Sequence, residues 1–373
     1  MLLRKLRKNE TVRTRELWEK IFTEDTPEFL DYYYSQKTED NEIYVIEREG
    51  YICSMLHLNP YTLQMGSREE ASRYIVAVAT DEAYRKRKYM TELLQKSVRD
   101  LYLLKVPFVF LMPADYHIYY PHNYRYIYDM PQWKAVALDD RVHDAEELNE
   151  MLIDDEVEIR PAKQDDCKEM AVFAESVLSE KYQVYTKRDF LYYHRLLLEQ
   201  ESQNGGILIA KEKGKIRGLF CYAQETELVV REPLIQPGYE DVFDRIGFRV
   251  EIVERKPLIM GRVVNAETLI STIQFREETK IQFVLVDPVI RENNKIFIVH
   301  GNKEHTVVRT KPLIKGKYEE LPLISVDALI SSVFGYKEIS KIEEEEKEVF
   351  ADDLRKALEN MIPFKNIFIN EVV

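Results

Sequence analysis

Two clusters of side chains in this sequence carry recognisable chemistry. The first is the run Arg85-Lys86-Arg87-Lys88, which precedes Met90, Leu93 and Leu94, apolar positions whose spacing predicts a helix. N–H groups at a helix start point outward without partners, and the helix dipole adds partial positive charge there. With four cations beside them they make an anion seat whose natural occupant is a pyrophosphate. The second cluster is ADYHIYYPHNYRYIYD, from Ala114 to Asp129, which holds Tyr116, Tyr119, Tyr120, Tyr124, Tyr126 and Tyr128. A phenol with a pKa near 10 stays protonated at neutral pH and can give its proton to a departing thiolate. No serine lies in a nucleophile elbow, and no histidines have zinc-ligand spacing.

The elements that must position these clusters are short and legible. Ile75-Val76-Ala77-Val78-Ala79 reads as a buried strand, followed by a turn over Thr80 to Ala83 and then the basic run. PFVFLMP, from Pro107 to Pro113, reads as the next buried strand and leads straight into the tyrosine cluster. Adjacent parallel strands that splay leave a slot for an extended ligand arm, and a residue after the second strand can reach it.

The same supersecondary pattern occurs twice. Ile43 to Leu56, IYVIEREGYICSML, and Ile207 to Phe220, ILIAKEKGKIRGLF, are each a strand, a charged turn closed by glycine (Gly50, Gly214) and a second strand. A strand and an amphipathic helix precede each, starting at Leu2 and at Val157. This order predicts tandem domains of one fold. After the second hairpin no basic turn enters a helix, so the second copy is expected to lack a cofactor seat. The expected organisation is a catalytic domain over 1–138, an acidic linker over 139–156, a second copy over 157–256 and an α+β third domain over 257–373. The acidic run Glu343 to Glu346 reads as a solvated helix face.

Composition narrows the function classes. The 373 residues are 45% hydrophobic and 32% charged, and the formal net charge is −13. That charge argues against nucleic acid and suits a cationic substrate. Three cysteines, far apart and without metal-ligand spacing, together with the absence of an apolar leader or membrane-length run, lead us to expect a reduced, cytoplasmic protein with no metal and no membrane association. Glu24 and Asp25 beside Phe29, Tyr32, Tyr33 and Tyr34 could hold an amine by ion pairing and cation–π contact.

The segment Val78 to Met90 resembles the acetyl-CoA signature of the GNAT acetyltransferases, a strand ending in Val followed by Arg/Gln-x-x-Gly-x-Gly/Ala. Lys88 stands where the first Gly is expected, and Met90 where the small residue is. IYYPHNY is similar to the GNAT element in which a Tyr precedes Gly-Phe; that Tyr falls on Tyr119, with Tyr120 as the one-residue slip. Asn123-Tyr124 replaces Gly-Phe, and Asn tolerates the same left-handed dihedrals.

The order of pieces, with MGRVVNAETL opening the third domain and INEVV at the end, resembles the Eis-type (enhanced intracellular survival) N-acetyltransferases. The resemblance implies an α/β fold class: tandem GNAT folds, each a mixed central sheet flanked by helices, then a sterol-carrier-protein-like α+β domain. It implies acetyl-CoA as donor, a primary amine of aminoglycoside, polyamine or lysine type as acceptor, and a homo-oligomer. It further implies the pantetheine arm on the backbone of Ala77, Val78 and Ala79, and the pyrophosphate on N–H groups of Arg85, Lys86, Arg87, Lys88, Tyr89 and Met90. Tyr119 would be the general acid, the α-carboxylate of Val373 the general base, and Glu24, Asp25 and Tyr33 would line the acceptor side. Direct transfer is expected, Cys53 being the one cysteine on a neighbouring strand. Two other readings stand beside this one: a GNAT fold that binds without turnover, suggested by Lys88, and a lipid or small-ligand carrier acting through the third domain.

Overall fold

The computed structural model describes residues 1–138, 157–224, 228–314 and 320–371, with Asp144, Glu146 and Leu148 between the first two segments. The strands of the first segment are β1 (Leu2–Lys5), β2 (Glu42–Arg48), β3 (Tyr51–Met65), β4 (Arg68–Thr80), β5 (Phe108–Leu111) and β6 (Arg125–Ala137). Its helices are α1 (Arg15–Ile21), α2 (Pro27–Gln36), α3 (Tyr89–Leu103) and α4 (Tyr116–Tyr119). In the next segment lie β7 (Val157–Pro161), α5 (Cys167–Lys181), β8 (Val184–Thr186), α6 (Phe190–Ser202), β9 (Gly206–Glu212) and β10 (Lys215–Gln224). β11 (Leu228–Ile235) and β12 (Phe248–Val263) come next.

The hairpins anticipated around Gly50 and Gly214 are present as the β2–β3 and β9–β10 pairs. Each turns on two left-handed residues: Glu49 and Gly50 at φ 52° and 83°, Lys213 and Gly214 at φ 50° and 74°. That pair of positive φ values matches the right-handed twist of the strands it joins. The first copy runs β1-β2-β3-β4 across its sheet and the second β7-β9-β10-β11, so one topology is used twice.

One strand departs from the sequence reading. β12 inserts between β5 and β6 and completes the first sheet, with Met260 opposite Leu111 and Gly261 opposite Arg125. The boundary expected between residues 256 and 257 therefore falls inside a single strand, and the first sheet is not finished by residue 138. The reason lies in the two halves of β12. Residues 249–257 pair with β6 alone, and most of them are exposed and charged; residues 259–263 lie between β5 and β6 and are buried. The change in texture near Pro257 marks where a strand enters the core.

The remainder forms a sheet of β14 (Thr279–Val286), β15 (Lys295–Gly301), β16 (Thr306–Pro312) and β17 (Leu323–Ser325), after α7 (Ala266–Ser271) and the short β13 (Gln274–Phe275). Helices α8 (Val326–Val333), α9 (Ile339–Glu346) and α10 (Asp352–Asn360) complete this region. One continuous core joins Phe108 and Phe110 of the first sheet to Phe283, Phe297, Phe334 and Phe350 of this region. Two short strands end the chain: β18 (Met361–Ile362) pairs with β13, and β19 (Ile367–Phe368) lies parallel to β8. No helix among the described residues is long and apolar enough to cross a membrane.

Candidate functional site

The slot between β4 and β5 begins with a bulge. Met55 of β3 faces Ala79 and His57 faces Val76, so β4 carries one residue more than its partner, and Ala77 adopts φ 50°. An extra unpaired residue bends the strand and frees its backbone groups from the ladder. On the other side, β4 pairs in parallel with β5 only at Tyr74–Phe110 and Ile75–Leu111. From Val76 onward the β4 backbone faces a gap where β5 has ended. Ala77 and Ala79 are buried, and their small side chains leave that backbone approachable.

The turn after β4 is pinned by a buried carboxylate. Asp81 accepts from the Ala83 N–H, the Lys20 ammonium and the Tyr51 hydroxyl. The Lys20 bond, then that of Tyr51, pulls its pKa down to about 2. Beyond it Arg85, Lys86, Arg87 and Lys88 are all exposed. Lys86 and Lys88 both adopt left-handed dihedrals, at φ 63° and 64°. Left-handed residues in such a turn make a concavity of N–H groups that binds anions.

Lys88 therefore takes the backbone conformation that a glycine would favour, at a cost of about 1 kcal/mol. It caps α3 without a side-chain hydrogen bond, and no protein acceptor among the described residues reaches the N–H of Lys86, Arg87 or Lys88. Arg87 lies over the Tyr84 ring at 5.3 Å, and Arg85 pairs with Glu82 at 3.3 Å. Among the described residues the Lys86 and Lys88 ammonium groups form no ion pair. Tyr89 and Met90 pack into the core under α3, so only their backbone is left for a ligand. The geometry fits an extended ligand arm along β4 ending in a diphosphate at the start of α3.

Tyr119 ends α4, a helix opened by Asp115, which accepts the His117 N–H. The Tyr119 ring meets Tyr124 edge-on at 5.9 Å, and burial pushes its pKa up to about 12. Its hydroxyl makes no hydrogen bond among the described residues. Tyr120 differs: its hydroxyl donates to Glu346 Oε1 at 3.2 Å, and its ring lies 3.5 Å under the Arg125 guanidinium. Arg125 is itself bound to Glu346 at 2.6 Å, so Tyr120 is committed to joining the first sheet to α9. Asn123 has φ 66° and ψ 31°, the left-handed conformation that its place in the motif requires, and donates to Asp327 at 2.9 Å. Glu346 is thus an interior partner, whereas the sequence reading put the whole acidic run on a solvated face.

A cavity of about 290 Å³ opens between the first sheet and the second copy, walled by Asn59 and Tyr61 of β3, Glu199 of α6, Glu232 of β11, and Glu371 near the end of the chain. Most of its charges are paired: Asp40 with Arg195 at 2.8 Å, Glu199 with Lys37 at 3.6 Å. Arg188 faces both Glu232, at 2.8 Å, and Glu371, at 3.6 Å. Burial, reinforced by Glu232 and opposed by Arg188, pushes the Glu371 carboxyl up to about 7. The link to Tyr119 runs through Tyr74 of β4, whose phenol is raised by burial and then by neighbouring ionisable groups, Tyr61, Glu371, Tyr119 and Glu199 among them. Tyr74 therefore lies within electrostatic reach of both Tyr119 and the cavity.

The acceptor-side residues expected from sequence lie elsewhere. Glu24 is exposed, and Asp25 accepts from Trp18 Nε1 at 2.7 Å. Tyr33 is fully buried, donates to Asn59 Oδ1 at 2.9 Å and stands behind the cavity wall. None of the three lines the cavity. Val373 lies outside the described residues. Cys53 is buried, and that burial raises its thiol. Sequence reasoning missed Glu371, Glu232 and Arg188. Only Glu371 left a signal, as the sole acid in the apolar ending NIFINEVV.

A family model described as an acetyltransferase (GNAT) domain matches residues 3–127. No curated protein sequence matches. The chain shares its fold with a protein of unknown function from Enterococcus faecalis described as a probable N-acyltransferase, with TM-score 0.77 and 13% identity over 100% of this chain and 99% of that one. A GCN5-related N-acetyltransferase from Anabaena variabilis gives TM-score 0.76 at 12% identity, covering 100% of both chains. Eis1 from Mycobacterium abscessus gives 0.73 at 11% identity, again over 100% of both. At these identities the likeness establishes the fold, which is a GNAT-type mixed sheet with flanking helices.

Proposed function

We propose that this protein is an acetyl-CoA-dependent N-acetyltransferase that moves an acetyl group directly to a primary amine. The observation that carries this reading is the continuity of β4. Its bulge at Ala77 turns backbone toward the gap beside β5, and the same strand then feeds the left-handed turn at Lys86 and Lys88 and the open start of α3. The backbone of Ala77 to Ala79 would pair with the pantetheine arm, and N–H groups from Arg85 to Met90 would hold the diphosphate. The family model matched over residues 3–127 supports the same reading.

Tyr119 is the proton donor to coenzyme A thiolate. With a pKa near 12 it holds its proton at every working pH, and it gives it up as the C–S bond breaks. Tyr120, tied to Glu346, is not free to serve. Transfer is direct because the buried thiol of Cys53 offers no exposed thiolate. The acceptor enters from the cavity side, where five carboxylates stand against four cations and the buried, incompletely paired Glu371 suits an amine. The test is calorimetric titration with acetyl-CoA, followed by assay of coenzyme A release with spermidine or an aminoglycoside. Micromolar binding and amine-dependent release are expected; failure to bind acetyl-CoA overturns the reading.

A further inference from the structure

Among the described residues, one buried carboxylate of the cavity wall, Glu371, has only a shared cation. Asp40 has Arg195 and Glu199 has Lys37, but Arg188 alone stands against both Glu232 and Glu371. The Glu371 side chain is 1% exposed, and its Oε2 makes no hydrogen bond. The Thr186 hydroxyl is near enough to favour the charged carboxylate, though not in a bonding geometry. A buried carboxylate oxygen without a donor is costly unless it is protonated or meets a cation.

The groups around Glu371 come from every element packed on it. Arg188, Tyr192 and Glu232 face it from the second copy, and Tyr61, Tyr74 and Tyr128 from the first sheet. Of these Arg188 and the Tyr192 hydroxyl, which donates to Glu371 Oε1 at 3.3 Å, favour the ionised form, but Glu232 claims Arg188 at the shorter distance. The tail is held in place to present this side chain. β19 pairs with β8, and Asn370 accepts from the Tyr128 hydroxyl at 3.0 Å.

Resting on the acetyl-transfer reading, we propose that Glu371 receives the ammonium of the acceptor in this cavity and removes its proton before attack. The carboxylate takes one proton from R–NH3+, and the freed nitrogen lone pair forms a bond to the thioester carbonyl carbon. The C–S bond breaks with its electron pair going to sulfur, and Tyr119 protonates that sulfur. The second nitrogen proton restores Tyr119, and Glu371 returns its own to water. The products are amide, thiol and one proton. Glu232 and Arg188 are positioning residues: Arg188 holds the carboxylate in place, while burial and Glu232 keep its proton affinity high enough to act as a base near neutrality. The substrate class is a primary amine entering with its charged end first.

The test has two arms. In the first, spermidine is titrated into the full-length protein at pH 6.5 in two buffers of different ionisation enthalpy. A cation meeting a largely protonated Glu371 should expel a substantial fraction of one proton, and Glu371→Gln should abolish that release. In the second, coenzyme A release is followed against pH. The wild type should show an ascending limb near pH 7. Glu371→Gln should lose the limb and fall about 100- to 1,000-fold in kcat/KM for the amine, with acetyl-CoA affinity unchanged. Amine binding without proton release in the wild type, or an unaltered limb in the variant, overturns the proposal while leaving the transferase reading intact. Loss of acetyl-CoA binding in the wild type would instead sink the transferase reading, and with it the base role. The proton-release arm needs no turnover, and the wild type alone decides it if the variant fails to fold.

Discussion

The two copies of the fold share a backbone device and use it differently. In the first, β4 bulges at Ala77, with φ 50°. In the second, β11 bulges at Glu232, with φ 52°, where the β10–β11 register slips between Leu219 and Cys221. The first bulge carries a methyl group and opens toward a gap. The second carries a carboxylate held by Arg188. The chain beyond each bulge differs as much: β4 leads to the left-handed turn and α3, whereas β11 leads through a 3-10 turn at Asp244–Ile246 into β12. A bulge alone therefore does not make a cofactor seat; it becomes one only with a small side chain on it and a helix start beyond it. In the second copy the same kink delivers a charge to the wall between the copies.

Five substitutions probe that contrast. Tyr119→Phe removes the proposed proton donor, and should lower kcat about 100- to 1,000-fold with little change in the KM for acetyl-CoA. Steady-state kinetics would check it, and a smaller loss than tenfold would remove Tyr119 from the chemistry. Glu371→Gln should raise stability above neutral pH. A carboxyl whose folded pKa lies near 7 stabilises the fold fully below its unfolded value, and that contribution is lost as pH rises through 7. The neutral variant escapes that loss, so its melting temperature should exceed the wild type's at pH 8.5, by the equivalent of about 3 kcal/mol, and match it near pH 4.5.

Ala77→Val puts a β-branched residue at a left-handed position and should straighten the first bulge. Strain of about 2 kcal/mol there predicts roughly 30-fold weaker acetyl-CoA binding by calorimetry. Lys88→Glu should weaken acetyl-CoA about tenfold at low salt and less at high salt, because an exposed charge is screened. Lys88→Gly should stabilise the fold by about 1 kcal/mol and change affinity by no more than threefold, since the dihedral is already the one glycine favours.

What was legible in the sequence was local. Gly50 and Gly214 announce their hairpins because a residue at positive φ is required there, and Asn123 announces its turn for the same reason. The basic run before Met90 marks the start of α3. The bulge at Ala77 left no mark, because alanine is ordinary in a strand and the extra residue shows only against the register of β3. Glu24, Asp25 and Tyr33 look like a binding face in sequence, yet Tyr33 turns inward to Asn59, a partner from another element. Of the cavity carboxylates only Glu371 left a mark in the sequence, and their convergence was invisible for the same reason. Glu199, Glu232 and Glu371 come from a helix, a strand and the tail, and only long-range packing brings them together.

The position of β12 has a consequence for how the chain comes to be folded. Until residues 259–263 arrive, β5 lacks a neighbour on one side, and its apolar strand is an open edge able to template pairing with another molecule. Everything from Val157 to Ile235 must leave the ribosome before that edge can close, so the second copy has time to assemble as a loop within an unfinished first sheet. A fragment cut after residue 138 would be left with that edge uncovered, and should aggregate when made alone.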